Sequence, residues 1–293
     1  MAMRRAYPRR RASRVDLITP RSMAAGRLAP TPSGHLHLGN ALAFGAAWLS
    51  ARAAGARVLL RVEDLDRGRA RDDIAAAQRE DLRWLGLDWD EEVLPQSRRT
   101  YALDGVPVFR CACTRATRLY LGCSCRHKAH DRGHFRFDTP RGPVAFVDRA
   151  RGPQLFDPDE DPILVREDGE AAYPLAVVVD DHRDGVTEVV RGGDLLPATA
   201  TQIRLYEVLG WTPPTWLHTP VILGADGKKL SKSHGSTEAR ALRAAGWTAD
   251  RVWATILPLL GLRHLDPAGF DAQKVCSGSF VVDAAGGILP PPG

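Results

Sequence analysis

Residues 26–62 read GRLAPTPSGHLHLGNALAFGAAWLSARAAGARVLLRV, and how they are read decides the fold. GRLAP has the length of a short strand, and the Pro- and Gly-rich PTPSGHLHLGN that follows cannot continue it. ALAFGAAWLSARAAG (41–55) is an Ala- and Leu-rich helical run stopped by Gly55. RVLLRV (57–62) is then a compact apolar strand. A strand, helix and strand in so short a span form a right-handed crossover, which requires a parallel sheet. Gly34 and Gly39 let a ligand approach the loop backbone where a Cβ would obstruct it. The loop also ends at a helix N-terminus, whose N–H groups and positive dipole end attract anions. It is neither G-x-x-x-x-G-K-[ST] nor G-x-G-x-x-G, so neither the P-loop nor the dinucleotide fingerprint applies.

DDIAAAQREDLRWLGL (72–87) reads as an amphipathic helix started by Asp72 or Asp73. Residues 104–160 change character, with four cysteines, many Arg and Gly, and strand-like pieces such as GPVAFVD. YPLAVVVDD (173–181) reads as a buried strand ending in acids, and TEVVRGGD (187–194) as another strand. LLPATATQIRLYEVLG (195–210) reads as a helix with Asp194 as its cap. TPVILGADGKKLSKSHG (219–235) suggests a strand, a tight turn and a polar loop carrying three lysines, and a last helix lies within 248–263. The expected organisation is a disordered basic tail (1–23), an α/β domain made of 24–103 and 161–265, an inserted subdomain (104–160), and a loosely structured Pro/Gly-rich tail (266–293).

Apolar content of 44% and charged content of 26% are ordinary for a globular protein. No apolar run is long enough to span a bilayer, so no membrane segment is expected. The first 23 residues lack the apolar core of a secretory signal, which favours a cytoplasmic protein. Those residues hold seven arginines against Asp16 alone, so the rest of a chain of net charge +5 is close to neutral. RNA binding must therefore rest on a local surface rather than on bulk charge. Met23 is an alternative start to Met1.

KKLSKS (228–233) places lysines on a Gly-flanked loop about two hundred residues after the first. Nucleotidyl transfer needs such cations, because charge builds on the α-phosphate and pyrophosphate. HLGN (37–40) and KLSKS (229–233) together resemble the paired signature motifs of class I aminoacyl-tRNA synthetases, with Asn40 replacing the last His. RLAPTPSGHLHLGNA, LLRVEDLD, YPLAVVVDD, VVRGGDLL and KKLSKS, in that order, are similar to the glutamyl-tRNA synthetase catalytic domain across residues 26–263.

The resemblance implies a Rossmann-like parallel sheet and a two-part site. Glutamate carries two carboxylates and one ammonium, and Arg27 and Arg191 can each clamp a carboxylate. Leu28, Ala29, Pro30 and Thr31 follow Arg27 into the same site, Glu63 at a strand end can hold the ammonium, and Tyr173 supplies a hydroxyl. ATP, with Mg²⁺, would lie across residues 30–40 on Gly34, Gly39 and Asn40, with its phosphates near His37 and Lys232. His37, Asn40, Lys229 and Lys232 are the implied catalytic set, and His35 is expected to be a surface residue. The α-carboxylate attacks the α-phosphate and expels pyrophosphate, leaving glutamyl-adenylate.

CACTRATRLYLGCSC (111–125) offers two C-x-C pairs, and four thiolates can close a tetrahedral zinc site. Relatives carry C-x-C followed by Tyr-x₃-Cys or by Cys-x-His, and here Tyr120 has Cys123 at x₂ and Cys125 at x₄. Cys111, Cys113 and then Cys125 lead as ligands of a structural Zn²⁺, while Tyr120, Cys123 and His127 compete for the remaining place. Cys276 is an ordinary thiol, and the short interval 98–110 leaves little room for a helix that relatives have there.

A glutamyl-tRNA synthetase has a further helical portion that reads the anticodon, and about thirty residues follow the last helix here. The resemblance thus narrows to the shortened glutamyl-queuosine tRNA(Asp) synthetases without an anticodon-binding domain. These activate glutamate with ATP and transfer it to queuosine at the wobble position of tRNA(Asp). The expected partners are glutamate and queuosine-bearing tRNA(Asp), with the protein acting as a monomer. Two alternatives stay open: a catalytically weakened paralogue serving as a zinc-containing RNA-binding or regulatory module, and a glutamate-activating enzyme with a non-tRNA acceptor.

Overall fold

The computed structural model describes residues 24–289 apart from 129, 159–160, 225, 229, 231–236 and 283–286, with backbone alone at 115, 119 and 121. The basic tail and Met23 lie outside the described residues.

The opening stretch folds as β1 (Ala25–Leu28), α1 (Leu38–Ala53) and β2 (Arg57–Leu60), with β1 and β2 parallel from Ala25↔Arg57 to Leu28↔Leu60. Small residues let α1 lie close to the sheet: a Cβ on Gly26 would stand 3.0 Å from the Ala51 Cβ. The next crossover, α2 (Asp72–Trp84), leads to the short parallel strand β3 (Glu91–Glu92).

The inserted region contributes β4 (Val108–Cys111), α3 (Arg115–Leu121) and β5 (His134–Phe137), then β6 (Val144–Asp148), β7 (Gly152–Phe156) and β8 (Ile163–Val165). Strands β4, β5 and β8 form a small antiparallel sheet. Sheet pairing runs across the expected boundary at residue 160, because β8 joins β5 while β6 and β7 extend the parallel sheet. The chain continues through α4 (Tyr173–Asp184), β9 (Glu188–Gly192), α5 (Ala198–Val208), β10 (Thr215–Thr219) and β11 (Val221–Leu223). Strand β10 runs parallel to β9 and to β6. Strand β9 lies beside β1, joined by the Thr187 amide to the Ala25 carbonyl at 2.9 Å. Across the sheet the order is therefore β3-β2-β1-β9-β10-β6-β7, and the direction of strand addition reverses between β1 and β9. A crevice opens at such a reversal, past the C-terminal ends of the strands.

Three readings of local structure are corrected. YPLAVVVDD is the first part of helix α4, not a strand: Pro174 stands in its first turn and Gly185, at φ 72°, ends it. A short apolar run has the same composition in a buried helix as in a buried strand, so periodicity cannot separate them. Asp194 does not cap α5, which starts after Pro197 without a side-chain cap and is preceded by a 3-10 turn over Gly193–Leu195. The C-terminal stretch expected to be loose instead supplies β12 (Ser279–Val282), parallel to β11, and β13 (Ile288–Leu289). Before it come α6 (Ala239–Ala244) and α7 (Ala249–Ile256). No helix among the described residues is long and apolar enough to cross a membrane.

The main core joins α1 to α7 and to the underside of the sheet. Gly45 is the contact point, since a Cβ there would meet the Trp253 ring at 2.7 Å, and Trp253 is held by its Nε1–H donating to the Leu85 carbonyl at 2.8 Å. Gly45→Ala gains about 1 kcal/mol of helix propensity but overpacks this contact by about 1–3 kcal/mol. The expected outcome in urea titration is a net loss of stability, whereas the same change at an exposed helical glycine stabilises.

Candidate active site

A cleft of about 540 Å³ opens at the strand-order reversal, lined by residues that follow β1 and β9 and by the start of α1. Arg27, Ala29, Pro30, Thr31, Glu63, Tyr173 and Arg191 all line it, as do Gly34, His37, Gly39 and Asn40. Leu28 does not: its side chain turns the other way in the strand alternation and is fully buried in the core. Lys229 and Lys232 lie outside the described residues. Of the described residues nearby in sequence, Leu230 is buried, Glu238 bridges to His37, and the Ala239 amide donates to the Leu36 carbonyl at 2.7 Å.

His37 is the N-cap of α1, and its Nδ1 accepts the Asn40 amide at 3.3 Å while the Asn40 Oδ1 accepts the His37 amide at 3.0 Å. With Nδ1 an acceptor, the proton of the neutral ring sits on Nε2. Gly39 is needed for this pose, since a Cβ there would press on the imidazole at 3.1 Å. The loop before it is tied down by Gln78 of α2, whose Nε2 donates to the carbonyls of Thr31 at 3.0 Å and Gly34 at 2.7 Å. His35 also lines the cleft, and its Nε2 accepts from Arg240 at 2.8 Å.

Two arginines give the cleft its positive charge, and they are held differently. Arg27 donates through Nε to Asp181 at 3.2 Å and through Nη1 to the Val190 carbonyl at 3.0 Å. Asp181 also accepts from the fully buried Arg61 at 2.7 Å, and Arg61 in turn reaches Glu63 at 3.2 Å and Asp184 at 3.1 Å. Burial alone would raise the Asp181 pKa, but Arg27 and Arg61 outweigh it and hold the carboxyl below its ordinary value. Burial pushes the Glu63 pKa up, against the pull of Arg61 and Arg27. Glu63 is held at the cleft by its amide, which donates to the Pro30 carbonyl at 2.9 Å just past the end of β2.

Arg191 has no such anionic partner among the described residues. Its Nε donates to His218 at 3.1 Å, Nη1 to Gln202 at 2.7 Å, and Nη2 to Thr199 at 2.8 Å and the Leu195 carbonyl at 3.2 Å. Trp216 lies under the guanidinium at 4.9 Å from ring centroid to Cζ, and the Tyr173 hydroxyl faces it from the head of α4. A guanidinium taken out of water among neutral groups is short of counter-charge, so a carboxylate entering the cleft is the complement it lacks. Gln78, Gln202 and His218 lie near the cleft outside every motif, while Arg61 and Asp181 lie within LLRVEDLD and YPLAVVVDD without being marked there for this role.

A second cluster lies in the insert. The Sγ atoms of Cys111, Cys113, Cys123 and Cys125 all fall within 4.8 Å of one another, with Cys111 to Cys123 at 3.6 Å and Cys113 to Cys125 at 3.5 Å. Four sulfurs around a tetrahedral zinc stand about 3.8 Å apart, so the set fits such an ion. The hydrogen bond with Cys125 pushes the Cys113 thiol up to about 12. His127 is exposed and is not part of this group of thiols, and Tyr120 is 80% exposed.

The family described as tRNA synthetases class I (E and Q), catalytic domain, matches residues 24–108 and 124–271. The chain is 44% identical over 282 residues to a protein named Glutamyl-Q tRNA(Asp) synthetase from Nitratidesulfovibrio vulgaris, covering 82% of this chain and 87% of that protein. It is 37% identical over 277 residues to Glutamate--tRNA ligase 2 of Cereibacter sphaeroides, covering 85% of this chain and 59% of that one. Among solved structures, the glutamate-tRNA synthetase of Elizabethkingia anophelis has a similar fold, with a TM-score of 0.73 at 23% identity over 90% of this chain and 68% of that chain.

The ion network under the cleft gives a direct test. Asp181→Asn leaves Arg27 and Arg61 sharing too little negative charge in a dry site. Removing one partner of such a buried pair costs about 3–5 kcal/mol. Chemical denaturation is expected to show a loss of that order, and a change below 1 kcal/mol would mean that water reaches the network.

Proposed function

The chain belongs to the class I tRNA synthetases of the glutamate and glutamine type, and we propose that it activates L-glutamate with ATP and transfers it to queuosine in tRNA(Asp). The observation that carries this reading is Arg191, a buried cation with neutral partners at the mouth of a cleft that it shares with Arg27 and Glu63. One carboxylate of glutamate meets Arg191 and the Tyr173 hydroxyl, the other lies within reach of Arg27, and Glu63 takes the ammonium. ATP, bound with Mg²⁺ as its complex, lies over Gly34, Gly39 and Asn40 with its phosphates toward His37 and the head of α1.

The reaction needs no protein nucleophile. An oxygen of the α-carboxylate forms a bond to the α-phosphorus, the bond from that phosphorus to the bridging oxygen breaks, and pyrophosphate leaves with the electron pair. The protein's part is to align the two substrates and to stabilise the charge that accumulates on the phosphates. His37 donates from Nε2, and Lys229 and Lys232 add cations that act in the transition state. Transfer to queuosine then releases AMP. The higher identity to the protein named Glutamyl-Q tRNA(Asp) synthetase, 44% against 37% for the glutamate--tRNA ligase, supports this acceptor. Cys111, Cys113, Cys123 and Cys125 would hold a structural Zn²⁺ that ties the end of β4 to the loop after α3.

Glutamate-dependent exchange of pyrophosphate into ATP, run without tRNA, tests the first half-reaction. No exchange by the zinc-replete protein would sink the enzyme reading. Acid-gel analysis of queuosine-bearing tRNA(Asp) tests the acceptor, and adenylation without its modification would point to a different acceptor. Lys232→Ala is expected to slow exchange about a hundredfold or more, as loss of a transition-state charge partner does. Metal analysis is expected to find one zinc per chain, with Cys125→Ser losing the ion and melting at lower temperature. Equal zinc content in Cys125→Ser would remove that residue from the ligand set.

A further inference from the structure

Arg191 is held by groups that reach beyond the cleft. Its Nε partner, His218 on β10, has no exposed surface and sits between Arg191 on β9 and Asp148 at the end of β6. Arginine can only donate, so His218 Nε2 must be a bare acceptor. The Thr199 hydroxyl lies 3.3 Å from the same nitrogen and 3.5 Å from the Leu195 carbonyl, and its one proton can go to either. The imidazole proton is then on Nδ1, which donates to the Asp148 Oδ2 at 2.6 Å. The other oxygen of Asp148 is committed to the backbone, accepting the amides of Ala150 and Arg151 at 3.0 Å each. Burial also lowers the His218 pKa and favours the neutral ring.

We infer that Asp148 and His218 are a buried positioning pair for glutamate capture: Asp148 fixes the imidazole tautomer, and the tautomer keeps an acceptor at Arg191 Nε so that the fork stays turned to the cleft. This inference rests on the proposed glutamate site. Three parallel strands carry the three residues, His218 in register with Arg191 and Asp148 opposite Trp216 two places earlier, and Arg191 lines the cleft. The chain thereby holds a cation firmly without placing a second carboxylate on it. A carboxylate in the place of His218 would neutralise Arg191 and compete with the substrate. A neutral acceptor orients the guanidinium and leaves its charge for the ligand.

Asp148→Asn is the sharp test. The asparagine Oδ1 keeps the two backbone amides, so its Nδ2 donor faces His218 Nδ1. The ring must move its proton to Nε2, where it meets the Arg191 N–H. In pyrophosphate exchange the KM for glutamate is expected to rise about 10- to 100-fold, the range for mispairing one buried polar contact, while kcat and the KM for ATP stay within about threefold. His218→Gln keeps an acceptor for Arg191 and a donor for Asp148, and is expected to stay within about threefold of wild type, whereas His218→Leu matches Asp148→Asn. The nitrogen NMR spectrum of the imidazole in the unliganded wild-type protein is expected to show Nδ1 protonated and Nε2 bare.

The inference is overturned by a wild-type His218 protonated on Nε2, by an Asp148→Asn protein with unchanged glutamate KM or an equal rise in ATP KM, or by His218→Gln behaving like His218→Leu. The last comparison decides the matter if Asp148→Asn does not fold. An absence of wild-type exchange would count against the functional reading instead, and the nitrogen spectrum would then still decide the pair.

Discussion

Taking a guanidinium out of water costs several kcal/mol even after the protein relaxes around it, and that cost falls only when donors and charge are both matched. The described residues meet this constraint in two ways, on either side of β1. Arg61 is enclosed by Glu63, Asp181 and Asp184, so its charge is neutralised within the protein and serves to hold β2 to α4. Arg191 has its donors matched by His218, Gln202, Thr199 and a carbonyl, and its charge left standing. The first arrangement ties two elements together, and the second leaves a positive charge lining the cleft. Arg27 lies between them, tied to Asp181 on one side and lining the cleft on the other.

The place of these charges follows from topology. Strands β1 and β9 are neighbours whose crossovers leave in opposite directions, so a crevice opens beyond their C-terminal ends. Arg27 and Arg191 stand on or at the ends of those two strands, and the loop after β1 carries Gly34, His37 and the head of α1 into the same space. The capping box of His37 and Asn40 closes the helix start while leaving its dipole directed at the cleft. Gln78, from the following helix, fixes the loop by two carbonyls and so holds it in place along the cleft.

Much of this was legible in the chain as written. The strand–loop–helix–strand reading of residues 26–62 matches β1, α1 and β2, because Ala and Leu density, Gly55 and a β-branched apolar run are local signals. The motif residues that line the cleft could be named because strand ends and helix starts are where side chains face ligands. YPLAVVVDD could not be resolved between strand and helix, since its apolar residues are buried on more than one side and their period is lost. The C-terminal tail looked loose because its strand β12 depends for hydrogen bonds on β11, far earlier in the chain, with Ser279 opposite Val221.

The sequence by itself determined the chemistry offered: two arginines, a strand-end glutamate, a Gly- and His-bearing loop, and four clustered thiols, each marked by residue type and spacing. Only the tertiary structure decided what each charge does. Whether an arginine is neutralised or left for a ligand depends on groups brought from distant strands and helices, and Asp181, His218 and Asp148 carry no local signal of that role. Spacing along a chain records which groups are available. The balance between desolvation and pairing that turns one of them into a site exists only once the sheet has placed its strands side by side.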